Sequence, residues 1–206
     1  VHLLLIFFNF CVVDSMGMRR VWIGKIVVAE GSGAAGNETT FKGTIGANAK
    51  VGAIEVGSTT LSGLADFEAA VVTDSLSVIG GDNADEDSQI DVGASITSSS
   101  GGITLTPGAG DAKLLVTANA TLTGAIDKSG SGAGDAIVAV SAGTLTLASE
   151  VGGTTAIDSI TLANGSAVAA NVDINVTSTV ITDAATITYD KGSDQTHTGA
   201  ITVAAD

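Results

Sequence analysis

From Phe41 onward the chain alternates. Apolar side chains occupy every second position in short runs: Leu76 and Val78, Ile90 and Val92, Ile103 and Leu105, Leu145 and Leu147, Ile160 and Leu162, Ile174 and Val176, Ile201 and Val203. A period of two places these residues on one face of a strand and their Thr and Ser neighbours on the other. Corners rich in Gly or Asp separate the runs, so the pattern predicts many short strands joined by turns. The one stretch with a trace of helical period is Leu61 to Val72, LSGLADFEAAVV, which predicts a helical turn or two.

The pattern also resembles itself. Leu147 to Ser166 matches Phe41 to Thr59 in looser form, 106 positions earlier and without gaps, with Val151 on Ile45, Gly152 on Gly46, Ile157 on Val51, Ile160 on Ile54 and Leu162 on Val56. Gly-x-Ile recurs at Gly43 to Ile45, Gly124 to Ile126 and Gly199 to Ile201. A unit of this kind, a short β-segment, a Gly corner and an alternating strand, cannot bury its apolar face alone and must stack on neighbours.

Two all-β architectures satisfy the pattern. In a parallel β-solenoid, coils of ~20 residues stack at ~4.8 Å, and eight or nine of them give a rod roughly 40 Å long. In a β-sandwich the strands pair antiparallel, with Asn164-Gly165 as a hairpin turn. Corners longer than two residues, outward Thr and Ser, and a near absence of rings favour the solenoid. The residues expected to point inward are Ile45, Ile54, Val56, Ile126, Leu147, Val151, Ile160, Leu162, Ile174 and Ile201.

Composition sharpens this picture. Among 206 residues there are 27 glycines, a single proline and only 3% aromatics, so the core must be filled by layers of Val, Ile, Leu and Ala. Beyond Glu30 the chain carries five lysines, no arginine and twenty carboxylates, a balance of −15. Such a surface repels phosphate backbones and anionic membranes, which argues against nucleic-acid binding and against membrane insertion of the repeat region. The only cysteine, Cys11, excludes an intrachain disulfide.

Residues 1 to 30 differ from the rest, holding Trp22, both methionines, three of the five phenylalanines and both arginines. The apolar run Val1 to Val13 has the length of a signal-peptide core, but Arg19 and Arg20 follow it instead of preceding it. Three readings stand: a signal peptide with a mis-set start, a mistranslated leader with Met16 or Met18 as the true start, or an apolar cap on the first coil. Residues 31 to 40 read as a flexible linker. Residues 41 to 206 form the repeat region, which breaks off in mid-pattern at Asp206 and is expected to be cut short there.

Candidate chemistry is sparse. The densest polar run is Gly80 to Asp87, with Asp91 just beyond, and Asp82, Asp85 and Asp87 are the candidate ligands for a weakly held Ca²⁺. The run lacks EF-hand spacing and the calcium β-roll nonapeptide, so a solvated acidic loop is the expected state and no cofactor is required. Glycosidase chemistry needs two facing carboxylates and usually stacking rings. Phe41, Phe67 and Tyr189 are the only rings after residue 30. Cys11 with His2, His197 among threonines and the Gly130 to Gly134 corner assemble no nucleophile or phosphate loop. The expectation is a non-enzymatic protein.

Leu145 to Leu162 and Gln195 to Asp206, LTLASEVGGTTAIDSITL and QTHTGAITVAAD, are the residues that carry a family likeness. They resemble the tandem repeats of large bacterial surface proteins of the filamentous-haemagglutinin and autotransporter-adhesin type, with His197 and Thr198 where that pattern has Tyr and Asn. The resemblance implies a right-handed β-helix that is exported, extracellular or at the bacterial cell surface. It also implies an adhesive or stalk role, with glycans or proteins of host or neighbouring cells and flanking repeats of the same chain as partners. Alternatives from other classes are a β-helical carbohydrate-active enzyme and a self-assembling S-layer or sheath protein.

Overall fold

Alternating aliphatic and hydroxyl residues build strands that cannot be buried singly, and here they stack in parallel. The computed structural model describes residues 24–29, 38–47, 50–182 and 184–204. Its strands are, in order, β1 (Lys25–Val28), β2 (Thr39–Phe41), β3 (Val51–Gly57), β4 (Leu64–Phe67), β5 (Val71–Ile79), β6 (Ser88–Val92), β7 (Ile96–Thr106), β8 (Ala112–Val116) and β9 (Ala120–Thr123). They continue as β10 (Ile126–Lys128), β11 (Ala136–Val140), β12 (Thr144–Leu147), β13 (Ile157–Leu162), β14 (Ala167–Ala170), β15 (Ile174–Thr182), β16 (Thr186–Tyr189) and β17 (His197–Ala204).

Every pairing between these strands is parallel, and the chain visits three ladders in each turn. The first side stacks Ile45, Val71, Ile96, Leu122, Leu147, Ala170 and Tyr189. The second stacks Ile26, Ile54, Leu76, Ile103, Ile126, Val151, Ile174 and His197. The third stacks Phe41, Phe67, Val92, Val116, Val140, Leu162, Ile181 and Val203. The protein is therefore a parallel β-solenoid of about seven turns. At ~4.8 Å per turn the rod is roughly 35 Å long.

The antiparallel sandwich is excluded. Asn164-Gly165 does form a tight turn, closed by Ser166 N–H donating to the Ala163 carbonyl at 3.0 Å. That turn bends the chain from the third side to the first, and the strands it joins pair with the turns above and below instead of with each other. The expected coil of ~20 residues is too short: Ile126, Val151, Ile174 and His197 follow one another at 25, 23 and 23 positions. Three sides and three corners simply need more chain than two faces would. The helical turn expected within Leu61 to Val72 is absent as well; β4 and the start of β5 occupy that stretch. There the stacked register of Phe67 on Phe41 and Val71 on Ile45 outweighs a weak helical period.

Most of the expected inward residues are in the core. Ile54, Val56, Ile126, Leu147, Val151, Ile160, Leu162 and Ile174 are all buried, and each such burial contributes ~1.5–3 kcal/mol. Ile45 is partly buried against the same column. Ile201 is the correction: it stands in the inward column over Thr179 but is 50% exposed, because no further turn covers it among the described residues. Phe41 and Phe67 stack at 5.1 Å between centroids, the largest fill in an otherwise aliphatic column. Strand β1, within residues 1–30, pairs in register with β3. Strand β2 begins at Thr39, inside the stretch read as linker; residues 1–23 and 30–37 lie outside the described residues.

The self-similarity at 106 positions turns out to be a corner unit and not a coil. Ile45 lies on the first side and Ile54 on the second, whereas Val151 lies on the second and Ile160 on the third. The same unit is thus used again one side further round. Both corners demand glycine for one reason: Gly46 and Gly152 have φ of 76° and 68°, and a Cβ would meet the carbonyl oxygen of the next turn, Val72 or Asn175, at 2.1 and 2.0 Å.

Candidate functional site

With the core closed to solvent, any binding surface lies on the outward side chains and the corners. Buried polar groups mostly serve the corners. Thr73 Oγ1 donates to the Val51 and Ser75 carbonyls, Ser98 Oγ to those of Asp74 and Gly102, and Ser88 Oγ accepts from Gly63 N–H. Glu86 is the exception, a buried carboxylate whose Oε2 has no hydrogen-bond partner among the described residues.

The sequence-predicted ligands Asp82, Asp85 and Asp87 lie exposed on the corner between β5 and β6. Asp82 accepts from Asn83 Nδ2 at 3.1 Å, and Asp87 accepts the backbone N–H of Asp111 in the next turn at 2.8 Å. Among the described residues no group of three or more Asp, Glu, His or Cys is arranged to hold a metal ion. Asp91 is not part of that corner; it sits on the outward face of β6.

The Asp87 contact belongs to a feature the sequence reading missed. Asp111 in turn accepts the N–H of Asp135 at 2.8 Å, and Asp158 accepts that of Ala136 at 2.6 Å. A carboxylate thus caps the entry to the third side in successive turns, covering a backbone donor that the corner would leave unpaired. The signal was present as an Asp immediately before a strand at 87, 111 and 135, a spacing of 24 each time. Asn119 accepts the N–H of Thr144 in the same manner, whereas Asn175 links turns in the opposite sense, donating Nδ2 to the Gly152 carbonyl.

Charge is unevenly spread over the three sides. On the third side Asp66 and Asp91 stack directly in register, with Glu38 nearby. Burial, then the neighbouring carboxylates, hold Glu38 and Asp66 above the ordinary carboxylate range. The second side carries Glu55 paired with Lys25 at 2.9 Å, and Asp158 at the next corner holds Lys128 at 2.7 Å. The first side has no charged residue at the outward positions of β9, β12, β14 and β16, which are Thr121, Thr123, Thr144, Thr146, Ala167, Ala169, Thr186 and Thr188.

At the last described turn, His197 sits between Tyr189 and Thr179. Tyr189 Oη lies 2.6 Å from His197 Nδ1, and Thr179 Oγ1 lies 3.2 Å from Nε2. Burial pushes the imidazole below its ordinary pKa and the phenol above its own. Because Thr179 is fully buried, this chain of contacts clips the last described turn onto the one before it.

Comparison of the chain with protein-family models, with curated proteins and with solved structures finds no match. The class that the fold defines is the parallel β-solenoid, a stack of turns held by one aliphatic column.

Proposed function

We propose that this chain is a non-enzymatic stalk or adhesive segment of an exported protein, extracellular or displayed at a bacterial cell surface. The observation that carries the reading is the division of labour in the solenoid: one continuous aliphatic column holds the turns together, and in-register hydroxyl and carboxylate side chains cover the outside. Such a rod is stiff because each turn is bonded to the next through its whole backbone. It presents contacts in repeating rows, which suits low-affinity, multivalent attachment to glycans or proteins of another cell. The resemblance of residues 145–162 and 195–206 to adhesin repeats supports the same role.

Labelled chain is expected to bind intact cells or a glycan array in a saturable way, with binding retained at moderate salt. Release of reducing sugar from a polysaccharide panel, lost in Asp66→Asn, would overturn this in favour of a carbohydrate-active enzyme. The stacked Asp66 and Asp91 pair is the one local arrangement on which that rival rests. Filaments or lattices in negative-stain images, formed in place of cell binding, would speak for a sheath protein.

A further inference from the structure

Glu86 is buried without a partner. It is 4% exposed, and its Oε2 has no hydrogen bond among the described residues. Its main chain is already committed: the amide donates to the Asn83 carbonyl at 3.0 Å, and the carbonyl accepts from Gly81 N–H at 2.9 Å. The next turn locks the same loop, with Ala109 and Gly110 N–H donating to the Gly81 carbonyl at 2.8 and 3.2 Å. The side chain folds back over Gly81, where any Cβ would collide with its carboxylate. That lays the open oxygen against the backbone of the loop that also carries Asp82, Asp85 and Asp87. No cation of the protein answers it. Lys25, Lys42, Lys50, Lys128 and Lys191 each pair with another carboxylate, and among the described residues no salt bridge reaches Glu86. A carboxylate taken out of water is costly unless a counter-charge meets it, and three more carboxylates on the same loop raise that cost.

We propose that Glu86 is the buried ligand of a calcium ion held at the corner between β5 and β6. Calcium takes hard oxygen ligands in irregular geometry, main-chain carbonyls included. This corner is crowded with them: a Cβ on Gly108 would strike the carbonyls of Gly80 and Gly81, and one on Gly110 those of Asn83 and Glu86. Magnesium suits the place less, because it is bound with several of its waters retained and a largely buried oxygen favours an ion that sheds them. A water molecule alone would satisfy the hydrogen bond and leave the charge. The aspartates expected from the sequence do not converge, so one buried carboxylate with main-chain oxygens sets the affinity, with Kd on the order of 0.1–1 mM. The ion would tie the 80–87 loop to the glycine-rich corner of the next turn.

The inference goes beyond the adhesive reading and does not rest on it, since cell binding and calcium binding are measured separately. Its test is thermal unfolding of the chain, followed by circular dichroism at equal ionic strength, with calcium, with magnesium and with neither. With calcium about tenfold above Kd, Tm should rise by roughly 3–6 °C, and magnesium at the same concentration should give less than half that rise. Glu86→Gln keeps the shape and removes the charge, so it should melt at or above wild type without calcium and lose the rise. Asp194→Asn removes the same charge from an exposed position near the last turn and should keep the rise whole. Calcium-induced amide shifts in NMR spectra of the wild-type chain should be confined to residues 80–87 and 108–111. The proposal is overturned by a wild-type Tm that calcium leaves unchanged, by half or more of the rise with magnesium, which is screening of the net charge, by a rise that survives in Glu86→Gln, or by shifts centred elsewhere. If Glu86→Gln does not fold, the two ions and the location of the shifts decide.

Discussion

Replacement of Ile160 by alanine tests the stacked core directly. Ile160 is 1% exposed, lies between Val138 and Thr179 in its column, and belongs to a turn covered on both sides. Removing three carbon atoms there forfeits their transfer free energy and leaves a cavity that parallel backbone ladders cannot easily close, a loss of about 3 kcal/mol. For a chain of this length that corresponds to a fall in Tm of roughly 6–12 °C if unfolding is cooperative. Ile160→Asp should cost more, since it buries a charge with no partner. The matched control is Ile201→Ala, in the same column but half exposed, where the loss should be under about 1 kcal/mol. Thermal and urea unfolding followed by circular dichroism give both numbers. Equal losses at the two sites, or an Ile160→Asp variant that melts within about a degree of wild type, would mean that the column is not the source of stability.

Three other outcomes follow from the corners and the terminal turn. Gly152→Ala should destabilise far more than Gly165→Ala: both have positive φ, but a Cβ meets the Asn175 carbonyl at 2.0 Å in the first and open space in the second, where only ~1–2 kcal/mol of backbone strain is expected; urea midpoints separate them. Asp111→Ala, which uncovers the Asp135 N–H, should cost up to about 1 kcal/mol, and Asp111→Asn, which keeps an acceptor, should recover most of it. Hydrogen-exchange protection factors in β16 and β17, corrected for the intrinsic exchange rate, should fall as pH drops from about 7 to 3, through His197 first and through Asp173 below about pH 4. The sign follows from the shifts. Asp173 is held below the ordinary carboxylate range chiefly by Lys191 and the Thr196 N–H, and His197 is held below its usual value by burial. Each contributes stability above its unfolded pKa and loses it as pH drops through the folded one. Glu38 and Asp66, raised by burial, act oppositely at the other end, so protection of β2 and β4 should hold or improve over the same range.

The strand faces could be read from the chain because alternation is a local property: Ile160 and Leu162 face inward for the same reason that Thr161 between them does not. Parallel stacking also followed, since the corners were too long and the rings too few for hairpins packed face to face. The length of a turn was hidden, because it depends on how many sides close the cross-section. Strands β5 and β7 run straight through a corner, pairing on the first side at Val71 and Ile96 and on the second at Leu76 and Ile103, and in their sequence the bend is marked only by Gly101-Gly102, with Gly102 at φ 66°, and by Thr73 and Ser98. The latter two look like outward hydroxyls yet are buried, their side chains bonded to corner carbonyls. Exposure of Ile201 could not be foreseen from a pattern that it obeys. The calcium candidates were chosen for acidic density, and density on a corner does not bring oxygens together; the carboxylates with a structural task, Asp87, Asp111 and Asp135, are defined by a spacing that spans turns.

Because every turn holds only to the ones directly above and below it, the molecule can be spliced. Excising residues 126 to 150 would bring Val151 onto Ile103, where Ile126 had been, Leu162 onto Val116, Val168 onto Ala120 and Ala170 onto Leu122, all apolar partners. The product should be the same protein one storey lower. Duplicating the segment should add a storey, so that in this architecture reach can be lengthened or shortened without redesigning the interior.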